Sequence, residues 1–424
     1  MQTALEKLKV LAAKNIPGAA RLWGAYSDTS DLVKFAASRI LRKLPGTSET
    51  FGPPRRVSGT LSAWAEQNSP SSFRLLRSGE VFERPLPENN CFAFNQKYAA
   101  LQKATVVPVF VGELESCRFL GRDHGAVIAR DDTLLFDLSR PRRNRGVERH
   151  DLLGAVKMPP MQRLSGRFAN LVSAEADVNY YHWLIDLMPR LHWLSEAGIA
   201  PATLDGFILK YNQLPFQKAC LTKLGIEESK IIVPTASTHL RLERLIVSSY
   251  TNYCYNSDVY SNRREGLQGV KRLMLENNPF ITRGAKYPKR IYISRQRASY
   301  RRATNPELFE QVLIDFGFTE FFLEDMPFLE QVALFSGATH VVGLDGAGLT
   351  NIIFCPEGAK VLELFHPSFV VSYYWDLCAQ LGLEYYALVS NDPLVPKTFF
   401  KFMQQANITV QVDELRTIMI EGCF

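Results

Sequence analysis

The stretch His340 to Glu363, HVVGLDGAGLTNIIFCPEGAKVLE, constrains this chain more than any other. Val341 and Val342 run as an apolar strand into Gly343, and Gly346 and Gly348 then allow a tight turn with a close backbone approach. Leu349 to Phe354 continues as a helix whose first amides are free, a setting that suits a phosphate. After the CPEG turn, Lys360 to Leu364 reads as the next strand. Glu363 stands at its carboxyl end, where open α/β sheets place their ligands and where a carboxylate can accept ribose hydroxyls. The unit predicts half of a nucleotide-binding sheet; its plain alternative is a glycine turn kept for packing, without a ligand.

The same alternation continues on both sides. Strands are expected at Arg290 to Ser294, Thr319 to Leu323, His340 to Gly343, Lys360 to Leu364 and Glu384 to Val389. Helices separate them, one opening with Asn305 as cap and Pro306 in its first turn. Spacing of this kind predicts a parallel, doubly wound sheet. A second α/β half is expected from the helix Tyr180 to Ala197, the strand Gly206 to Leu209, the helix Phe216 to Leu224 and the strands Ile231 to Val233 and Leu245 to Val247. Cys117 to Leu138 reads as a β-meander. Asp258 to Asn278 reads as a long polar connecting helix, and Pro279 to Pro288 as a hinge. The expected division is therefore a helical extension and linker over 1–59, an N-terminal domain over 60–280 and a nucleotide-binding domain over 281–424.

With 424 residues, the chain can bury two full cores. A formal net charge of +6 allows an anionic ligand, but it is too mild and too dispersed for nucleic acid. Seven cysteines without a CxxC pair fit thiols in a reducing compartment better than a disulfide framework or a zinc site. No window approaches eighteen consecutive apolar residues and the first residues show no leader pattern, so the expected address is cytoplasmic. Residues 1 to 44 alternate basic and apolar positions; they read as helices packed on the body, or as a peripheral contact with an anionic inner membrane face. Arg140 to Arg149 reads as a solvated loop, with phosphate binding as its alternative.

Two further clusters carry chemistry. In NYYHWLIDLMPRLHWL, Asn179, His182, Asp186 and Arg190 follow at steps of three, four and four, which puts them on one helical stripe beside the apolar face Tyr180, Leu184, Leu187, Leu191 and Leu194. Pro189 lacks the amide that would bond to the Ile185 carbonyl and should bend the helix. A histidine within reach of a carboxylate suits general-base chemistry, and a structural hydrogen-bond cluster or a metal pair are the other readings. The strand RIYIS delivers Ser294 and Arg295 at its carboxyl end, followed by Arg297, Arg301 and Arg302. Guanidinium groups there can pair with a diphosphate without a metal ion, or simply face solvent.

Together, NYYHWLIDLMPRL at 179–191, ISRQRASYRRATN at 293–305 and EDMPFLEQVALFSGATHVVGLDGAGLTNIIFCPEGAKVLELF at 324–365 resemble glycosyltransferase family 61, over roughly residues 90 to 390. The resemblance implies a GT-B-like α/β fold of two facing Rossmann-like domains. It also implies inverting, metal-independent transfer from a nucleotide sugar, UDP-linked, to a glycan or lipid-linked acceptor, as in capsular or cell-surface polysaccharide synthesis. Carried onto this chain, it gives His182 or Asp186 as the base and Arg295, Arg302 and the amides of Gly346, Ala347, Gly348 and Leu349 for the diphosphate. Ser294 and Asn351 join the donor side, Glu363 takes the ribose, and Asn179 and Arg190 are acceptor-side or structural. One position on the donor side departs from the family's pattern: Asp345 stands where a histidine is usual, which implies a contact with sugar hydroxyls or raises the alternative of an inactive glycan-binding relative. A nicotinamide dehydrogenase is the remaining alternative, but DGAGLT is not the GxGxxG turn it requires.

Overall fold

The computed structural model describes residues 53–122, 125–139, 150–155, 157–250, 260–282, 286–396 and 400–424. The expected helices in residues 1–44, the loop Arg140 to Arg149, the start of the polar helix and part of the proline hinge lie outside them. The chain divides into two compact units that interleave in sequence. The first takes the described parts of Met1–Phe73, Glu113–Phe168 and Pro234–Leu245, and the second those of Arg74–Gly112, Ala169–Val233 and Ile246–Phe424. The segment 60–280 thus contributes to both units.

The first unit is built on strands. Residues 118–120 of the strand Val109–Leu120 pair antiparallel with Ala126–Ile128, which turns back through Thr133–Leu135, as the alternating runs of the meander predict. Arg56–Ser58, expected as linker, is a strand because it finds a parallel partner in Thr133–Leu135. Leu120, Ala126, Ile128, Leu134, Leu152 and Met158 close a small core beneath these strands.

The second unit holds a five-stranded parallel sheet: β1 (Arg290–Ile293), β2 (Thr319–Phe321), β3 (His340–Leu344), β4 (Lys360–Phe365) and β5 (Glu384–Val389), in the order β2-β1-β3-β4-β5. These are the five strands read from the sequence. Both faces are apolar, since parallel strands joined by helices are covered on each side. Tyr292, Val342, Leu362 and Leu388 pack on one face with α1 (Pro306–Asp315) and α4 (Val412–Glu421). Ile291, Val341, Val361 and Ala387 pack on the other with α2 (Phe328–Gly337) and α3 (Tyr373–Leu381). The order reverses between β1 and β3, and a sheet of this topology opens a crevice at the carboxyl ends of those two strands. The edge of β5 is covered by Asn89, whose side chain exchanges two hydrogen bonds, at 2.7 and 3.1 Å, with the backbone of Ala387.

The expected helix Tyr180 to Ala197 is not uniform. His182–Leu187 winds as a π-helix and Met188–Glu196 as an α-helix, with the Met188 amide reaching back five residues to the Trp183 carbonyl. Pro189 explains the widening: in a regular helix its ring would press on the Ile185 carbonyl, and one extra residue in the turn relieves the clash. The expected polar connector is an amphipathic helix, Arg264–Leu275, which buries Gly266, Leu267, Gly269, Val270 and Met274. It meets the 188–196 helix through its glycines: a Cβ on Gly269 would stand 2.4 Å from the His192 ring, and one on Gly266 2.8 Å from Trp193. Alanine at 269 gains about 1 kcal/mol of helix propensity. Overpacking at such a contact costs about 1–3 kcal/mol, so the contact decides the sign. Gly269→Ala should lower stability by ~1 kcal/mol in urea denaturation and Gly269→Leu by more; unchanged stability in both would show that the helices do not touch there. No helix among the described residues is long and apolar enough to cross a membrane.

Candidate active site

At the crevice between β1 and β3, the loops leaving the two strands interlock. Ser294 follows β1, buried, with its amide on the Phe321 carbonyl at 3.0 Å and its hydroxyl accepting from the Gln296 amide at 3.4 Å. Arg295 follows and donates from Nε and Nη2 to the carbonyls of Arg301 and Tyr300, at 3.2 and 3.1 Å. These bonds hold its guanidinium against the glycine turn: a Cβ on Gly346 would stand 2.0 Å from Arg295 Nη1, so glycine leaves the room it takes. Burial, and after it the charge of Arg301, pull the Arg295 pKa below its ordinary value.

The arginine that reaches the turn is Arg301 rather than Arg302. Arg301 sits in the left-handed region at φ 54°, which turns its side chain inward, where Nη1 donates to Asp345 Oδ2 at 2.5 Å. Its Nε is buried and has no acceptor. Burial works against its charge and Asp345 outweighs the effect, raising its pKa. Arg302 is exposed; its amide and carbonyl join Asn407 and the Ile408 amide, which fixes the backbone while its side chain points away from the turn. Arg302, expected at the diphosphate, is therefore not the arginine that faces the glycine turn; Arg301 is.

Asp345 is buried, and its amide bonds to the Leu364 carbonyl at 2.9 Å. Burial pushes its carboxyl above the ordinary range, with Arg301 and Arg295 pulling back. Glu363, expected to hold a ribose, is completely buried in register with Gly343 and Ala387, too deep in the sheet to meet a sugar. Its Oε2 accepts from the Tyr385 hydroxyl at 2.7 Å. Burial, and then the charge of Asp345, hold Glu363 well above the carboxylate range.

The expected helix after the glycines is a 3-10 helix, Ala347–Phe354. Its tighter turns already engage the Leu349 amide on the Gly346 carbonyl at 3.0 Å, so Leu349 offers no free amide to a phosphate, whereas the first positions of the turn do. Ala347 and Gly348 are partly open to solvent, and Gly348 lies close under Leu323, where a Cβ would come to 3.0 Å. Asn351, expected on the donor side, is buried and fully engaged: its Oδ1 accepts from the Tyr180 hydroxyl at 2.6 Å, and its Nδ2 donates to Gln331 Oε1 and to the Gly348 carbonyl, each at 3.1 Å.

That tyrosine brings the helical stripe to the turn. Asn179 caps the helix, its Oδ1 accepting from the Tyr181 amide at 2.9 Å. His182 Nδ1 lies 2.7 Å from Asp186 Oδ2, and its Nε2 lies 3.7 Å from Glu175 Oε2. Asp186 is buried, while the imidazole keeps 21% of its side-chain surface and can meet a ligand. Burial lowers the imidazole pKa, but the hydrogen bond and charge of Asp186, with Glu175, more than offset this, and the net shift is upward. Arg190, on the same stripe by spacing, is turned to the interior by the wide π turn. It donates to Ser248 Oγ and to the carbonyls of Val172 and Asn170 at 3.0, 3.0 and 2.6 Å, and stacks on Tyr250, so its role is structural.

Two aromatic rings that spacing did not single out join the clusters. Tyr181 lies between His182 and Tyr374, at centroid distances of 5.5 and 6.1 Å, and the Tyr374 hydroxyl donates to the Gly346 carbonyl at 2.7 Å. A histidine–aspartate pair that can take a proton therefore stands one aromatic layer from an arginine pair that can hold an anion.

Residues 180–362 match the family model described as glycosyltransferase 61. A search among curated proteins finds no match.

Proposed function

We propose that this chain, a member of glycosyltransferase family 61 through residues 180–362, transfers a sugar from a nucleotide-diphosphate donor, UDP-linked, to a hydroxyl of a glycan or lipid-linked acceptor in capsular or cell-surface polysaccharide synthesis. The observation that carries the donor assignment is Arg301, whose buried Nε lacks an acceptor while Arg295 and the glycine turn converge beside it at the switch point of a parallel sheet. In this reading His182 takes the acceptor proton with Asp186 orienting the ring. The acceptor oxygen forms the new bond to the anomeric carbon from the face opposite the leaving group, and the diphosphate departs with its electron pair onto Arg301, Arg295 and the first amides of the 3-10 turn. The proposal includes a GT-B arrangement, with the five-stranded sheet as its nucleotide half, and a cytoplasmic setting.

Guanidinium groups can neutralise a leaving diphosphate without a divalent ion, so the reaction is proposed to need no metal. Release of nucleoside diphosphate from a panel of nucleotide sugars should persist in excess EDTA. Complete loss on chelation, restored by manganese, would overturn the metal-independent part. The Asp345–Arg301 pair favours a second reading, a relative that binds a glycan without turnover, and binding with no release of diphosphate from any donor would decide for it.

A further inference from the structure

We propose that Asp345 is an internal counter-charge to the donor's phosphate: it holds Nη1 of Arg301 beside the anion site and its charge opposes an arriving diphosphate, so this one residue sets the site's affinity. The inference rests on the reading of the β1–β3 crevice as the donor site and adds to it how that site is held when empty.

A carboxylate oxygen and a non-bridging phosphate oxygen are the same kind of acceptor for a guanidinium fork. Asp345 Oδ2 takes Nη1 of Arg301 at 2.5 Å, while Nε of the same guanidinium stays buried and unpaired. Nε lies on the edge of the guanidinium away from Nη1, so Asp345 engages one side and leaves the Nε side open to a second acceptor oxygen. Arg295 is held from behind by two carbonyls, with its Nη1 against Gly346. Charge points the same way. The ionisable groups facing Asp345 are Arg295, Arg301 and Tyr300 from the loop after β1, Glu363 on β4, Tyr374 on α3 and Tyr385 on β5. Burial raises the pKa of Glu363, Tyr374 and Tyr385, which leaves the two guanidinium groups as the charged partners of the carboxylate. The surplus positive charge attracts an anion. An arriving diphosphate nevertheless brings like charge beside Asp345 and shares its arginines, and this repulsion weakens binding.

UDP and uridine titrated into wild type and Asp345→Asn by calorimetry test this. Asn keeps the shape and removes the charge, so UDP should bind the variant about 10- to 100-fold more tightly, while uridine, lacking the diphosphate, binds both alike. Equal or weaker UDP binding by the variant overturns the proposal and leaves the donor site standing; failure of UDP to bind either protein overturns the donor site itself. Should that variant not fold, Asp345→Ser supplies the same comparison, with the same tightening expected for UDP and none for uridine. Equal or weaker UDP binding by this variant overturns the proposal.

Discussion

His182→Ala should lower turnover by about 10²- to 10⁴-fold and leave nucleotide affinity nearly unchanged, because proton transfer matters in the transition state and hardly at all in the donor complex. The assignment of base to His182 rather than Asp186 rests on exposure and starting pKa. The aspartate is buried behind the ring, whereas the imidazole has an open face and starts from an unperturbed value near neutrality. Asp186→Asn should also lower turnover, by less, since it removes the partner that fixes the ring and favours its charged form. The base must be neutral to accept a proton, and Asp186 and Glu175 raise its pKa. The acid limb of the pH–rate profile should therefore lie above about 6.5 in wild type and move down in Asp186→Asn. Wild-type turnover in both variants would remove this helix from the chemistry. A matching loss of nucleotide affinity would move it to the donor side.

The largest loss of stability is expected at a residue with no part in the chemistry. Asp376 on α3 is buried and receives Nε of a completely buried Arg84 at 2.8 Å, the Ser261 hydroxyl at 2.5 Å, and the amide and side chain of Asn262 at 3.0 and 2.9 Å. Arg84 also lies over the Trp375 ring, 5.1 Å from its centroid. Breaking a buried pair from one side leaves the other charge dry and uncompensated, which costs about 3–5 kcal/mol. Asp376→Ala should therefore show a large fall in the urea midpoint. Tyr374, two positions away on the same helix, holds the Gly346 carbonyl, so the folded fraction should also lose nucleotide affinity. A midpoint within experimental error of wild type would contradict the proposed strength of this network.

The five parallel strands were legible because each is a short apolar run between turn residues, and the histidine–aspartate contact because a spacing of four survives the wide turn. What failed did so for local or long-range reasons. The family resemblance gave Arg302, but the left-handed backbone at Arg301 turns the other arginine toward the glycines, and no sequence pattern reports a single positive φ. Glu363 was placed at an open strand end, whereas the strand continues to Phe365 and encloses it. Residues 74–112 carried no readable pattern. They belong to the unit of the parallel sheet, with Phe94 packed edge-on to Trp375 and Tyr98 bonded to the Val370 carbonyl, contacts across more than 270 positions. Such pairings are set by tertiary packing and leave no local period.

The most direct test of the central claim is the position of a bound nucleotide. A structure of the protein with UDP should place the diphosphate at the carboxyl ends of β1 and β3, with one phosphate oxygen on Arg301 Nε, another beside Arg295, and the 3-10 turn at Ala347 and Gly348 against it. A diphosphate held chiefly by residues before 280, or a nucleotide whose phosphates touch neither arginine, would contradict the account.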